Sequence, residues 1–384
     1  MKTSSFFIAL ISILFLACSP SKNEYLLYVG TYSVEGSEGI YGFSYNPETG
    51  ILTQKFVTPN QENPSYFEIN PAGTHLYAVS EVSDFNRLDS GSVTAYKISE
   101  SGELVKINQD ATLGNHPCHV CVSPDGQTVV ASNYTSGSLS IYEVDENGGL
   151  RAMQQLIQHE GSGPDSTRQL GPHAHSSQFT KDGKLLVAAN LGTDKIYFYE
   201  RADNGMYQPA SQPFVEMPGG FGPRHFDFSP DGQFLYVMNE MGAAVTVLQK
   251  VENSFQTIET VSSLPTGFDG IKASADIHLS PDGRFVYASN RGHNSIAVFT
   301  RQADNGRLKL IQTEPTRGDW PRNFVIDPDG KFLLVANQRS NNITAFAIDQ
   351  ENGKLSFTGQ STELPSPVCL KFLVKNKLGG GSSH

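Results

Sequence analysis

Short runs of β-branched and aromatic residues, broken by Asp-Gly, Asn-Gly and Ser-Gly pairs, follow one another along the chain without a long 3.6-residue apolar period. Strands joined by tight turns are the expected element throughout. One block recurs: "INPAGTHLYAVSE" (69–81), "VSPDGQTVVASNY" (122–134), "FTKDGKLLVAANL" (179–191), "FSPDGQFLYVMNE" (228–240), "LSPDGRFVYASNR" (279–291) and "IDPDGKFLLVANQ" (326–338). Its turn glycines stand at 73, 126, 183, 232, 283 and 330, so successive copies lie 53, 57, 49, 51 and 47 residues apart. A period of that size is the mark of stacked supersecondary units. In each copy proline presets the turn backbone, aspartate accepts local N–H groups, and glycine supplies the positive φ that closes a hairpin. A third strand such as "SLSIYEVD" (138–145), a second turn and a weaker fourth strand complete the unit. Four antiparallel strands per unit make a propeller blade.

Six hairpins are complete, and the chain ends supply a seventh. "YLLYVGTY" (25–32) reads as a second strand lacking its first, and "SPVCLKFLV" (366–374) as a first strand lacking its second. Pairing them closes the ring and removes the exposed edges of an open array. The expectation is an all-β, seven-bladed propeller, with residues 25–376 as its single domain.

The first strand of each blade lines the axis, so a position counted from the turn becomes a ring of side chains. Seven residues before the turn aspartate or its equivalent stand Ser65, Cys118, His175, Arg224, Ala275, Arg322 and, in the partial blade, Val368. Nine residues after it stand Glu81, Tyr134, Leu191, Glu240, Arg291, Gln338 and Tyr32. A hairpin brings such residues to the same open end. Unlike charges from several blades are therefore expected at one mouth of the channel, with the turns at the other. Asn133, Asn190, Asn239, Asn290 and Asn337, one position earlier, are too uniform for an asymmetric ligand and are assigned to backbone satisfaction.

Charge and the N-terminus narrow the partners. The formal net charge of −11 becomes −12 once a leader carrying only Lys2 is removed, which repels nucleic-acid phosphates and anionic lipid. Residues 1–17 hold an apolar run (6–17) ending in "FLAC", similar to a bacterial lipobox, which implies cleavage before Cys18 and its lipidation. Residues 18–24 are then the lipidated cysteine and a linker, the protein sits in the cell envelope, and the membrane is touched through the anchor alone. Residues 377–384 are a flexible tail, and a monomer is expected. Cys118 and Cys121 lie about 10 Å apart if on a strand, beyond disulfide reach, and are assigned to the core.

At "GPHAHSSQF" (171–179), "GPRHFDFSPDG" (222–232), "NE" (239–240) and "SNRG" (289–292) the chain resembles the lactonase family of seven-bladed propellers, which includes bacterial 6-phosphogluconolactonase and fungal carboxymuconate cyclase. The resemblance spans residues 25–376 and implies a site of His175, Arg224, Glu240 and Arg291, the set that ring counting also selects. Opening a sugar lactone requires an activated water, a stabilised oxyanion and a proton for the departing ring oxygen. Glu240 or His175 is the candidate base; Arg224 and Arg291 are candidates for the oxyanion and for any phosphate or carboxylate. Glu81, Arg322 and His173 are assigned to substrate contact, with structural use of His173 also open, and Trp320 to sugar stacking or to packing. No metal and no cofactor is expected. The export signal departs from a cytosolic sugar-phosphate step and leaves the lactone open. Two other readings compete: a noncatalytic surface-anchored binding propeller, and a metal-dependent sugar lactonase.

Overall fold

The computed structural model describes residues 25–374. The leader (1–17), Cys18, the linker to residue 24, residues 375–376 and the tail (377–384) lie outside the described residues. Within them, 28 strands form seven four-stranded antiparallel sheets, and the helical content is two 3₁₀ turns, Phe85–Arg87 and Leu191–Thr193. The sheets are consecutive in the chain: blade 1 at 25–59 with 367–373, then blades 2 to 7 at 67–111, 117–158, 174–216, 223–262, 274–315 and 321–363.

Blade 1 is the closure that the two chain ends predict. Tyr25–Thr31 pairs with Gly39–Tyr45 on one side and with Pro367–Leu373 on the other, Leu26 opposite Leu373 and Val29 opposite Leu370. The six repeated turns share one conformation, with glycine φ between 68° and 73°. There Asp231 takes the Ser229 hydroxyl and the Gln233 N–H on one carboxylate oxygen, so the loop needs no partner from outside.

Burial falls from axis to rim. Second strands such as Phe234–Asn239 and Phe285–Asn290 are wholly buried, whereas the outer strand Tyr207–Glu216 is largely exposed. The core is a set of apolar layers between neighbouring blades, for example Phe234, Tyr236, Val286 and Phe299 between blades 5 and 6. Each large side chain so buried contributes about 1.5–3 kcal/mol. A recurring bond stitches blade to blade: Tyr77, Tyr236 and Tyr287 on second strands donate to the carbonyls of Gly148, Gly306 and Gly353 in the next blade's outer turn, at 2.9–3.0 Å.

The uniform asparagines are structural, as their repetition implies. Asn239 Nδ2 donates to Ala244 O (3.0 Å) and Thr246 Oγ1 (2.9 Å), tying the second strand to the third, and Asn133 and Asn337 do the same work in their blades. Cys118, Cys121 and Cys369 are buried free thiols.

Candidate functional site

The inner strands carry a device that alternation alone does not reveal. In blade 4 Ala174 faces Asn190 and Ser176 faces Ala189, so His175 is an extra residue without a partner. Arg224 is the extra residue between Pro223 and His225, and Arg322 between Pro321 and Asn323. Such a bulge re-aims the extra side chain and leaves its neighbour facing the same way. The ring counted from the turn is thus a ring of bulges.

Glu240 is the hub. Its backbone N–H donates to Gly222 O at 2.8 Å, and Gly222 holds a left-handed φ of 64°, with the Leu191 and Met241 side chains 3.0 Å from where a Cβ would stand. One carboxylate oxygen, Oε2, lies 3.0 Å from Arg224 Nε and 2.8 Å from Arg291 Nη2; the other, Oε1, lies 2.8 Å from Arg168 Nη2. Arg224 is further held by Nη1 on Ala275 O (2.7 Å), and Arg291 by Nε on Ala273 O (3.0 Å) and Nη2 on Ser274 O (3.2 Å). Arg224 Nε is close to Glu240 but not aimed along a hydrogen bond, which leaves a buried donor unsatisfied.

The charges set one another. Burial alone would raise the Glu240 carboxyl, but Arg291, Arg224 and Arg168 override it and hold it at about 2. Arg291 is drawn down to about 10, by burial and by its arginine neighbours against the pull of Glu240. His175 is held well below the usual histidine value, first by burial and then by Arg224, His225, Arg322 and Arg291, so its imidazole is neutral at neutral pH. Cys118 donates its thiol to the His175 carbonyl (3.2 Å) and lies 3.8 Å from His175 Nδ1.

Glu81 and Arg322 form a second, looser pair. Arg322 Nη2 is 3.8 Å from Glu81 Oε2, which also accepts the Tyr32 hydroxyl at 2.9 Å, and the guanidinium lies over the Tyr32 ring at 5.2 Å. His173 stands apart from the ion-paired set. Its Nδ1 is 3.0 Å from Tyr134 O and its ring stacks on Tyr134 at 4.6 Å, while the same Tyr134 meets His175 edge-on at 5.4 Å. Trp320 packs against two guanidinium groups, Arg339 at 3.4 Å and Arg291 at 5.2 Å, and so braces Arg291.

Two groups escaped the sequence reading. Arg168 lies on the connection between blades 3 and 4, which no count from a turn reaches; its one trace was the 57-residue step, the longest of the five. The second group is a buried polar cluster on the inner strands, next along the chain from the bulges. Asp276 accepts His225 Nδ1 at 2.7 Å, His278 Nε2 at 3.1 Å and the Asn323 amide at 2.5 Å. Around His225 sit Tyr66, His119 and His175, with ring centroids 5.8, 5.4 and 5.3 Å away. Burial and Arg224 keep His225 neutral, at about 4, whereas Asp276 overcomes burial at His278 and raises it. These residues sit one and three places past the bulge, where the same count would have found them.

Four arginines and two glutamates give this cluster two excess positive charges in a chain of net charge −11. A neutral imidazole stands beside them. Such a cluster can bind an anion, stabilise a developing oxyanion and accept a proton.

Fold and site together define a closed seven-bladed propeller with a buried, arginine-rich polar cluster on its inner strands. The family model described as Lactonase, 7-bladed beta-propeller matches residues 26–372, and the chain belongs to that family. A 6-phosphogluconolactonase of Bacillus subtilis (strain 168) is 38% identical over 353 residues, covering 91% of this chain and 99% of its own. Among solved structures, a putative 6-phosphogluconolactonase from Bacteroides fragilis superposes with a TM-score of 0.86 at 36% identity, covering 92% of this chain and 99% of its own. The periplasmic gluconolactonase PpgL of Pseudomonas aeruginosa superposes with a TM-score of 0.87 at 34% identity, covering 92% and 100%.

Proposed function

We propose that the protein hydrolyses a sugar lactone, in the manner of a 6-phosphogluconolactonase, at the arginine-lined mouth of its channel. The observation that carries this reading is a neutral, buried His175 beside a glutamate saturated by three arginines. Of the two candidate bases the geometry favours His175. Both carboxylate oxygens of Glu240 are already engaged by guanidinium groups at 2.8–3.0 Å, whereas His175 carries a neutral imidazole. Glu240 instead fixes the guanidinium groups that must meet negative charge.

Water attacks the lactone carbonyl as His175 takes its proton, and Arg224 and Arg291 receive the oxyanion. The unsatisfied Arg224 Nε is the donor that gains a partner in that step. When the tetrahedral intermediate collapses, the proton returns from His175 to the ring oxygen, leaving the open-chain acid. An anionic substrate also strengthens the base, because it offsets the arginine charges that depress His175. The name of the periplasmic relative and the lipobox-like "FLAC" together support export, with Cys18 as the anchor.

The test is loss of lactone and release of acid, followed against the spontaneous rate for a panel of sugar δ-lactones. Wild-type protein is expected to open at least one of them and to keep its rate in EDTA. His175→Gln is expected to lower kcat by about 10²- to 10⁴-fold. No catalysed hydrolysis of any lactone, or a His175→Gln variant as fast as wild type, would overturn the reading.

A further inference from the structure

Arg168 differs in kind from the other arginines at the mouth. Arg224 and Arg291 side chains are 2% and 7% exposed, that of Arg168 43%. Arg224 and Arg291 are also bolted to backbone carbonyls, whereas the guanidinium of Arg168 meets only side chains, Glu240 Oε1 at 2.8 Å and the Tyr134 hydroxyl at 3.1 Å.

The backbone beneath it is firmly held. Asp165 Oδ1 accepts the N–H groups of Thr167 (2.8 Å) and Arg168 (3.0 Å), and Gly163 N–H closes the loop on Gln169 O at 3.0 Å. The fully buried Gln169 pins the loop to blade 4 through its Nε2 on Leu191 O at 2.7 Å. A hydrogen-bonded loop thus carries a half-exposed side chain whose partners are both side chains. The two oxygens of Glu240 are also divided: Arg224 and Arg291 share Oε2, while Oε1 belongs to Arg168.

We propose that Arg168 is a specificity-determining gate: it covers Glu240 Oε1 in the substrate-free protein and moves to the phosphate of an arriving phosphorylated lactone, uncovering that oxygen for a sugar hydroxyl. Recognition of the anion is thereby coupled to completion of the site. A neutral lactone leaves Arg168 on Glu240 and meets a partly closed mouth. The inference rests on the lactonase reading, and adds to it the residue that discriminates between charged and uncharged forms of one ring.

The experiment compares wild type, Arg168→Ala and Arg168→Lys on 6-phosphoglucono-δ-lactone and on glucono-δ-lactone. Arg168→Ala is expected to lose about 10- to 100-fold in kcat/KM on the phosphorylated ring, the scale of a charge-assisted bond, and to gain on the neutral one, for which Glu240 Oε1 is then uncovered without a phosphate. Arg168→Lys should recover part of the difference. Binding of inorganic phosphate, measured by calorimetry and so independent of turnover, should weaken by about 10-fold or more in Arg168→Ala. Equal losses on both lactones, a wild type without preference between them, or unchanged phosphate binding would each overturn the proposal. A wild type that opens neither lactone would count against the hydrolase reading instead, and phosphate binding would still decide the role of Arg168.

Discussion

Glu240 shows how a side chain's role follows from its company. From sequence it was as good a base as His175; in the fold it is a buried anion with a cation on three sides, and it can neither take a proton easily nor be spared. Replacing it with glutamine leaves Arg224 and Arg291 buried without a counter-charge, and breaking a buried pair of this kind costs about 3–5 kcal/mol. Glu240→Gln is therefore expected to lower the denaturant midpoint as well as kcat. A variant with wild-type stability and no activity would return the base to Glu240.

At the scale of the element, the bulge is what turns a strand into part of a site. At His175 and Arg224 the register shifts by one, so each is an unpaired extra residue whose side chain is re-aimed relative to regular alternation. The rest of each blade is devoted to holding that residue in place. The tyrosine-to-glycine bonds illustrate it: Tyr287 OH, 2.9 Å from Gly353 O, ties blade 6 to blade 7. Tyr287→Phe keeps the apolar packing but strands a buried carbonyl, and is expected to lower stability by about 1–2 kcal/mol. Urea unfolding measures it, and an unchanged midpoint would mean that the stitch contributes nothing.

At the scale of the molecule, packing the blades together buries several histidines, and this makes stability depend on pH. His159 and His225 are held at about 4, chiefly by burial. Between the ordinary value near 6.5 and 4 the unfolded chain takes up protons that the folded protein refuses, so stability falls as pH falls through that window. The loss is about 3 kcal/mol for each group. His119 and His175, held well below the ordinary value by burial, act in the same direction. His278 opposes them: raised by Asp276, its contribution is present below 6.5 and is lost as pH rises through its folded value. Unfolding midpoints should therefore drop between pH 7 and pH 5, above the range where carboxylates titrate. A flat profile there would show that these imidazoles are reached by water.

Turn chemistry and period are local, carried by a few adjacent residues, and so the primary structure by itself determined the hairpins, the seven blades, the pairing of residues 25–32 with 366–374 and the approach of Arg224 and Arg291 to Glu240. Contacts across the channel are not local. Only the tertiary structure decided that Arg168, from a connection outside the repeat, would reach Glu240, that Asp276 would hold His225 and His278, and that His173 would turn to Tyr134. Their distances depend on how a circle of sheets closes and on how one insertion folds over it. No run of neighbouring residues records either.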